Sequence, residues 1–299
     1  MAAHGALAGL FAAQSEAYSQ LRPRYTAHLY DRILGWAGLA GQHAQRGLAV
    51  DLGCGSGQAT ADLAALFDRV VGVDASAEQL RHAPQLPNAE FRCRPVEATW
   101  LPDGCADLAV VATALHWFDL PAAYREMRRI LKPSGALAAW AYSPWSGLIV
   151  PEDPSKADAV ERIQRDLLQR FTPHIHPHLQ RFMQGGYASY APSSAEFAEV
   201  ELETFDMQVP MTVQQVAGWV QSWSAFKPHC EQHGEAATRA LLERYCEDLV
   251  AALGVPDAQA TVRTRWPVHM LLARRPAPLP AGEQALAGGG AAGSAGLNA

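Results

Sequence analysis

Between residues 48 and 142, short apolar runs alternate with stretches whose apolar positions recur every three or four residues. Leu48-Ala49-Val50-Asp51-Leu52 is the first run and leads into glycines; Val70-Val71-Gly72-Val73 is the second and ends at Asp74. Residues 89–93 form a weaker third run, 107–112 a fourth that is fully apolar after its acid, and 136–140 a fifth. Helical spacing fills 59–67, 77–83 and 121–131. Short runs that are apolar on both alternations predict strands buried on both faces. Strands alternating with helices predict a parallel sheet covered on both sides. Alternation returns at 196–210 and again at 260–274, where Val262, Trp266, Val268, Met270 and Leu272 mostly occupy one face. The pattern therefore predicts a doubly wound α/β fold with a mostly parallel, seven-stranded sheet.

Proline, histidine and aromatic residues break this alternation over 144–200, which reads as a helical and aromatic insertion capping the sheet. The expected organisation is a lid helix at 1–35, a ligand-binding core at 36–143 and the cap at 144–200. Residues 201–275 then complete the core and contribute to a substrate pocket. The tail 276–299, with its Ala-Gly-Gly-Gly-Ala-Ala-Gly-Ser stretch, is expected to be disordered.

In open sheets of this kind a ligand lies outside the C-terminal ends of the strands, where the strand order reverses. The residues expected at those ends are the glycine loop, Asp74 and the stretch Thr113-Ala114-Leu115-His116-Trp117-Phe118. In the first of these, Gly53, Gly55 and Gly57 alternate with Cys54 and Ser56. Glycines accept positive φ and let a ligand lie against the backbone, and the following helix offers unpaired N–H groups. A dinucleotide loop reads G-x-G-x-x-G, whereas the position that pattern needs is here Gln58. Asp51 would also repel a pyrophosphate, and its carboxylate suits a cationic or hydroxyl-rich ligand. Asp74, at the end of the second strand, can accept the two hydroxyls of a ribose; it can equally belong to a helix start, because Ser76 and Glu78 form a capping pattern.

The segment Val50-Asp51-Leu52-Gly53-Cys54-Gly55-Ser56-Gly57 closely resembles the first motif of class I S-adenosylmethionine-dependent methyltransferases, a Rossmann-like family. Ala114-Leu115-His116-Trp117-Phe118 resembles the A-x-H-W-F segment of small-molecule members related to trans-aconitate methyltransferase, and the stretch from Tyr124 to Gly135 fits the same group. Tyr18-Ser19-Gln20-Leu21-Arg22-Pro23-Arg24-Tyr25 resembles their N-terminal segment, with Thr26 where proline normally follows. The resemblance implies S-adenosyl-L-methionine as cofactor, held by Tyr18, Arg22, Asp51, Gly53, Cys54, Gly55, Gly57, Asp74, Ala75, Val96, Glu97, Thr113 and Leu115. In the adenine loop Pro95 stands where an Asp is usual, which leaves the Val96 backbone and Glu97 to make the contact.

Composition narrows the acceptor. The 299 residues are 49% hydrophobic and 18% charged, with a formal net charge of −6. An acidic chain without a Lys/Arg run argues against nucleic acid, whose partners carry a basic face. Five cysteines, with no C-x-x-C, do not form a disulfide framework and favour a reducing compartment. No charged n-region or long apolar run is present, so a cytoplasmic protein without a membrane partner is expected, as monomer or homodimer. The acceptor is expected to be a small molecule methylated at carboxyl, hydroxyl or nitrogen. His116 is the candidate general base, since imidazole titrates near neutrality; a carboxylate acceptor would need none.

His116, Trp117, Tyr142, Trp145, Trp219, Trp223 and Arg263 are the candidate acceptor-binding residues, although Trp219 and Trp223 at i and i+4 also suit a helix core. His174, His176 and His178 alternate and would share one side of an extended segment; without a nearby acid or cysteine they read as part of a lid loop, and no metal is expected. An NAD(P)-dependent oxidoreductase and a non-catalytic binder of an adenosine cofactor are the alternatives.

Overall fold

The computed structural model describes residues 24–41, 43–143 and 148–277. Eight strands form one sheet: β1 (Leu48–Leu52), β2 (Arg69–Asp74), β3 (Ala89–Cys93), β4 (Ala106–Ala112), β5 (Leu131–Tyr142), β6 (Leu148–Val150), β7 (Phe197–Thr212) and β8 (Thr261–Pro276). Their order is β3-β2-β1-β4-β5-β8-β6, with β7 also paired to β8. The five strands β1 to β5 run parallel to one another, and β8 runs antiparallel to β5, β6 and β7. The sheet thus has one strand more than the apolar pattern predicts. The addition is β6, three residues too short to leave a periodic signal.

Period-2 alternation divides the buried side chains between two cores. Trp140 and Tyr142 of β5 face one core, which also receives Leu29 and Ile33 of α1 (Ala27–Trp36) and Leu63 of α2 (Gln58–Ala64). Leu137, Ala139 and Ala141 face the other, with Tyr124, Met127 and Ile130 of α4 (Leu120–Ile130). The short α3 (Ala77–Leu80) follows β2. Ser76 caps it by accepting the Gln79 amide at 3.3 Å, as the capping pattern implies.

The region between β5 and β7 holds α5 (Ala157–Phe171) and α6 (Pro177–Gly185), and α7 (Val213–Trp219), α8 (Phe226–His233) and α9 (Glu235–Leu253) separate β7 from β8. Thr212 starts α7 with a reciprocal capping box to Gln215. A buried ion pair locks α4: Arg129 donates to both oxygens of Glu126, whose Oε1 also accepts the Thr99 amide at 2.8 Å and hydroxyl at 2.5 Å. That bond network ties α4 to the loop after β3. No helix among the described residues is long and apolar enough to cross a membrane.

Candidate active site

The chain leaves β1 toward β2 and β3, then returns to β4 on the other side of β1, which makes the β1/β4 border the switch point. Three loops meet there. The amides of Gly53 and Cys54 both donate to the Val73 carbonyl, at 2.8 and 3.1 Å, and join the glycine loop to the end of β2. The Gly55 amide donates to Asp74 Oδ2 and the Ser76 amide to Oδ1, each at 2.8 Å. Gly53, at φ 71°, lies so close to the loop after β4 that a Cβ would stand 2.8 Å from that of Ala114. Across the third border, the Asp119 amide donates to Glu97 Oε1 at 3.2 Å.

Gly57, at φ 83°, ends the loop against Phe91 and Pro84, where a Cβ would meet atoms at 2.9 and 3.0 Å. Its role is the tight entry into α2. Gly55 differs: at φ 55° its nearest neighbour in the Cβ direction is Gln79 Oε1 at 3.8 Å, an ordinary van der Waals contact, so nothing presses on it as at Gly53 and Gly57. Of the three alternating glycines, Gly53 and Gly57 answer to close packing as well as to positive φ, and Gly55 to positive φ alone.

Asp51 is fully buried. Its Oδ2 accepts the Thr60 hydroxyl at 2.6 Å, and its Oδ1 has no hydrogen-bond partner among the described residues. Burial is the main reason that its pKa is pushed up to about 7, with the nearby Asp74 charge adding to it and Thr60 opposing it. Asp74 is also pushed upward by burial, against the pull of its two amides. The Cys54 thiol is held well above its usual range by burial, which rules it out as a thiolate nucleophile at neutral pH.

Thr113 closes β4 at φ 56°, a left-handed conformation that is strained for a β-branched residue. Its amide donates to the Trp140 carbonyl at 2.7 Å, and its hydroxyl lies 3.2 Å from that of Tyr25. Such strain persists only where the surroundings enforce it, and it concentrates at functional sites. Tyr25 in turn packs edge-on to Trp140 and stands 6.5 Å from the Tyr142 ring. Thr60 is the residue at this border that sequence reasoning missed, and Tyr25 was legible only as part of its segment. Tyr25 closes the quoted N-terminal segment, whereas Thr60 sits on a helix whose pattern marks only its apolar face.

Leu115, His116 and Trp117 form a single 3-10 turn after β4. Leu115 is wholly buried and His116 is 3% exposed. Helix α6 lies over this turn: His178 Nδ1 donates to the His116 carbonyl at 3.1 Å, and the Phe182 ring packs 5.5 Å from the imidazole. Val96 is buried, Ala75 is exposed and Glu97 is half-buried.

Several expectations need correction. Trp219 and Trp223 pack in a continuous aromatic core with Trp266 and Phe171, at centroid separations of 4.6 to 5.6 Å: α7 ends at Trp219, and the 3-10 turn 220–222 brings Trp223 edge-on against it. Arg263 lies on the exposed alternation of β8, opposite the buried Val262, Thr264 and Trp266. The three alternating histidines do not share a side. A 3-10 turn ends at His174 and α6 begins at Pro177, so His176 and His178 stack by Trp117 while His174 turns toward α8. Tyr18, Arg22, Trp145 and most of the glycine-rich tail lie outside the described residues.

Comparison with known proteins agrees with this geometry. The family described as "Methyltransferase domain" matches residues 50–139. A Dictyostelium discoideum protein named as a methyltransferase is 29% identical over 268 residues, 89% of this chain and 94% of that one. The trans-aconitate 2-methyltransferase of an Azoarcus species is 43% identical over 93 residues, 30% of this chain and 36% of its own. Among solved structures, one described as a type II methyltransferase from Anaeromyxobacter dehalogenans shares 30% identity, with a TM-score of 0.67, and covers 86% of this chain and 99% of itself.

Proposed function

From the premise that this chain belongs to the S-adenosylmethionine-dependent methyltransferases, we propose that it methylates a small-molecule acceptor bound between the glycine loop, the Leu115–Trp117 turn and the cap. The observation that carries this reading is the buried Asp51, with one carboxylate oxygen unpartnered among the described residues, beside the alternating-glycine loop at the switch point. A buried anion short of a partner is a costly arrangement that a cationic ligand relieves.

The residues present fit S-adenosyl-L-methionine. Asp51 would offset its positive charge, the Gly55 backbone would border it, and Asp74 retains lone pairs for ribose hydroxyls while its two amides hold it in place. Val96 and Glu97 would flank the adenine. When bound, this cofactor supplies an electrophilic methyl group on a positively charged sulfur. The protein's part is to orient the acceptor and to exclude water, which is where most of the acceleration of such a displacement comes from.

The cap supports a small acceptor. Phe182 packs on His116 in the turn after β4, and Tyr187 and Tyr190 extend that aromatic cluster. His116 lies against that cluster and takes the proton from a hydroxyl or amine acceptor; a carboxylate acceptor leaves it a positioning role through its contacts to Trp117 and Phe182. The similarity to trans-aconitate 2-methyltransferases spans under a third of the chain, so it does not choose among these acceptors. With a formal net charge of −6, a polyanionic acceptor is disfavoured.

The test combines binding with turnover. Calorimetry with S-adenosyl-L-methionine is expected to give one saturable site that Asp74→Ala weakens about 5- to 150-fold, the equivalent of about 1–3 kcal/mol for unpaired buried hydroxyls. Methyl-labelled cofactor incubated with pools of small carboxylates, phenols and amines is expected to label a low-mass product. Affinity for NAD⁺ in place of S-adenosyl-L-methionine would overturn the reading.

A further inference from the structure

Three histidines gather away from the crevice, where the cap meets the helices between β7 and β8. His174 ends the 3-10 turn after α5, and His229 and His233 stand one helical turn apart on α8. One ring nitrogen from each lies within 4.8 Å of the other two. Ring centroids are 4.5 Å apart for His229 and His233, and 5.1 and 5.6 Å from His174. We propose that these three imidazoles form a divalent transition-metal site, of zinc type, that clips the cap to α8.

The tautomer of the buried member favours this. Thr238 donates its hydroxyl proton to the Gly234 carbonyl at 3.0 Å, so its oxygen can only accept from His229 Nδ1, which lies 2.9 Å away. The proton of neutral His229 is therefore on Nδ1, and the lone pair is on Nε2. A hydrogen bond of this kind fixes the tautomer and orientation of a metal-binding imidazole. His229 is also held in place by stacking on Phe171 at 4.5 Å.

Three imidazoles suit zinc, copper, nickel and cobalt rather than magnesium or calcium. Tetrahedral zinc holds its nitrogens about 2.1 Å away, and thus about 3.4 Å from one another. The cluster closes to that spacing by side-chain rotation of the half-buried His174 and the exposed His233. His233 also ends α8, where the helix dipole favours a cation. Arg170 acts against the site, but its side chain is exposed and can turn into solvent. A water completes the fourth position.

The test uses the untagged full chain after chelator treatment, titrated calorimetrically with zinc chloride and, separately, with cobalt(II) followed by visible absorption. The expected result is one equivalent bound, a tetrahedral cobalt spectrum and a melting temperature raised by zinc. His174→Ala and His233→Ala should each weaken zinc at least tenfold, while His176→Ala should bind as the parent chain does. His233 is exposed, so its variant tests the site without threatening the fold. Failure of the parent chain to take up zinc saturably, or equal uptake by both variants, would overturn the proposal. None of these readouts depends on methyl transfer.

Discussion

Replacing Asp51 by asparagine removes a buried charge that the fold holds at a cost. Burial raises its pKa from 3.8 to about 7, and each pKa unit is worth about 1.4 kcal/mol, so ionising Asp51 at pH 8 opposes folding by about 4 kcal/mol. The native chain binds this proton more tightly than the unfolded chain does. Its contribution is therefore fully present below pH 4 and is lost as pH rises through about 7. The substituted asparagine keeps an acceptor for Thr60, but it forfeits a charge-assisted bond and must seat an amide, a loss of about 1–3 kcal/mol.

The expected balance for Asp51→Asn is a gain of about 1–3 kcal/mol at pH 8 that disappears near pH 4.5. Scanning calorimetry of both ligand-free proteins across that range measures it, and Asp74 and Asp62, whose pKa values are also raised, largely cancel in the difference. The same change should weaken S-adenosyl-L-methionine at least tenfold, and parental affinity should improve as pH rises through about 7. A variant that is less stable at pH 8 and binds the cofactor unchanged would refute the argument, and would leave Asp51 as an acceptor for Thr60 only.

Two further outcomes test the framework around the site. Gly57→Ala places a Cβ at 2.9 Å from Phe91 in a left-handed conformation, and should destabilise the chain by about 2–4 kcal/mol, read as a lower midpoint in urea. Glu126→Ala strands the buried Arg129 with Asp103 as its remaining carboxylate; about 3 kcal/mol should be lost, lowering the melting temperature by about 5 °C with little change in cofactor affinity per folded molecule.

Much of the architecture was legible along the chain. The five apolar runs became β1 to β5, because a strand buried on both faces needs only local sequence to announce it. The loop after β1 was equally readable, since positive φ at Gly53, Gly55 and Gly57 is a demand on residue type. Which glycines are pressed by close neighbours was not readable: Phe91 and Ala114 come from distant strands and loops. Trp219 and Trp223 show the converse problem. An aromatic stripe has the same spacing whether it meets a ligand or a core, and only the placement of Trp266 and Phe171 decided for the core.

Sequence alone determined the strand–loop–helix unit at Asp51 and the succession of elements around it, because those follow from short-range periodicity and backbone preference. Tertiary structure decided what that unit encloses. It buried Asp51 with one oxygen unpartnered, laid α6 over His116, and parted His174 from His176 and His178 to join it with His229 and His233. Burial and proximity between residues far apart in the chain set those outcomes, and neither quantity is carried by local pattern.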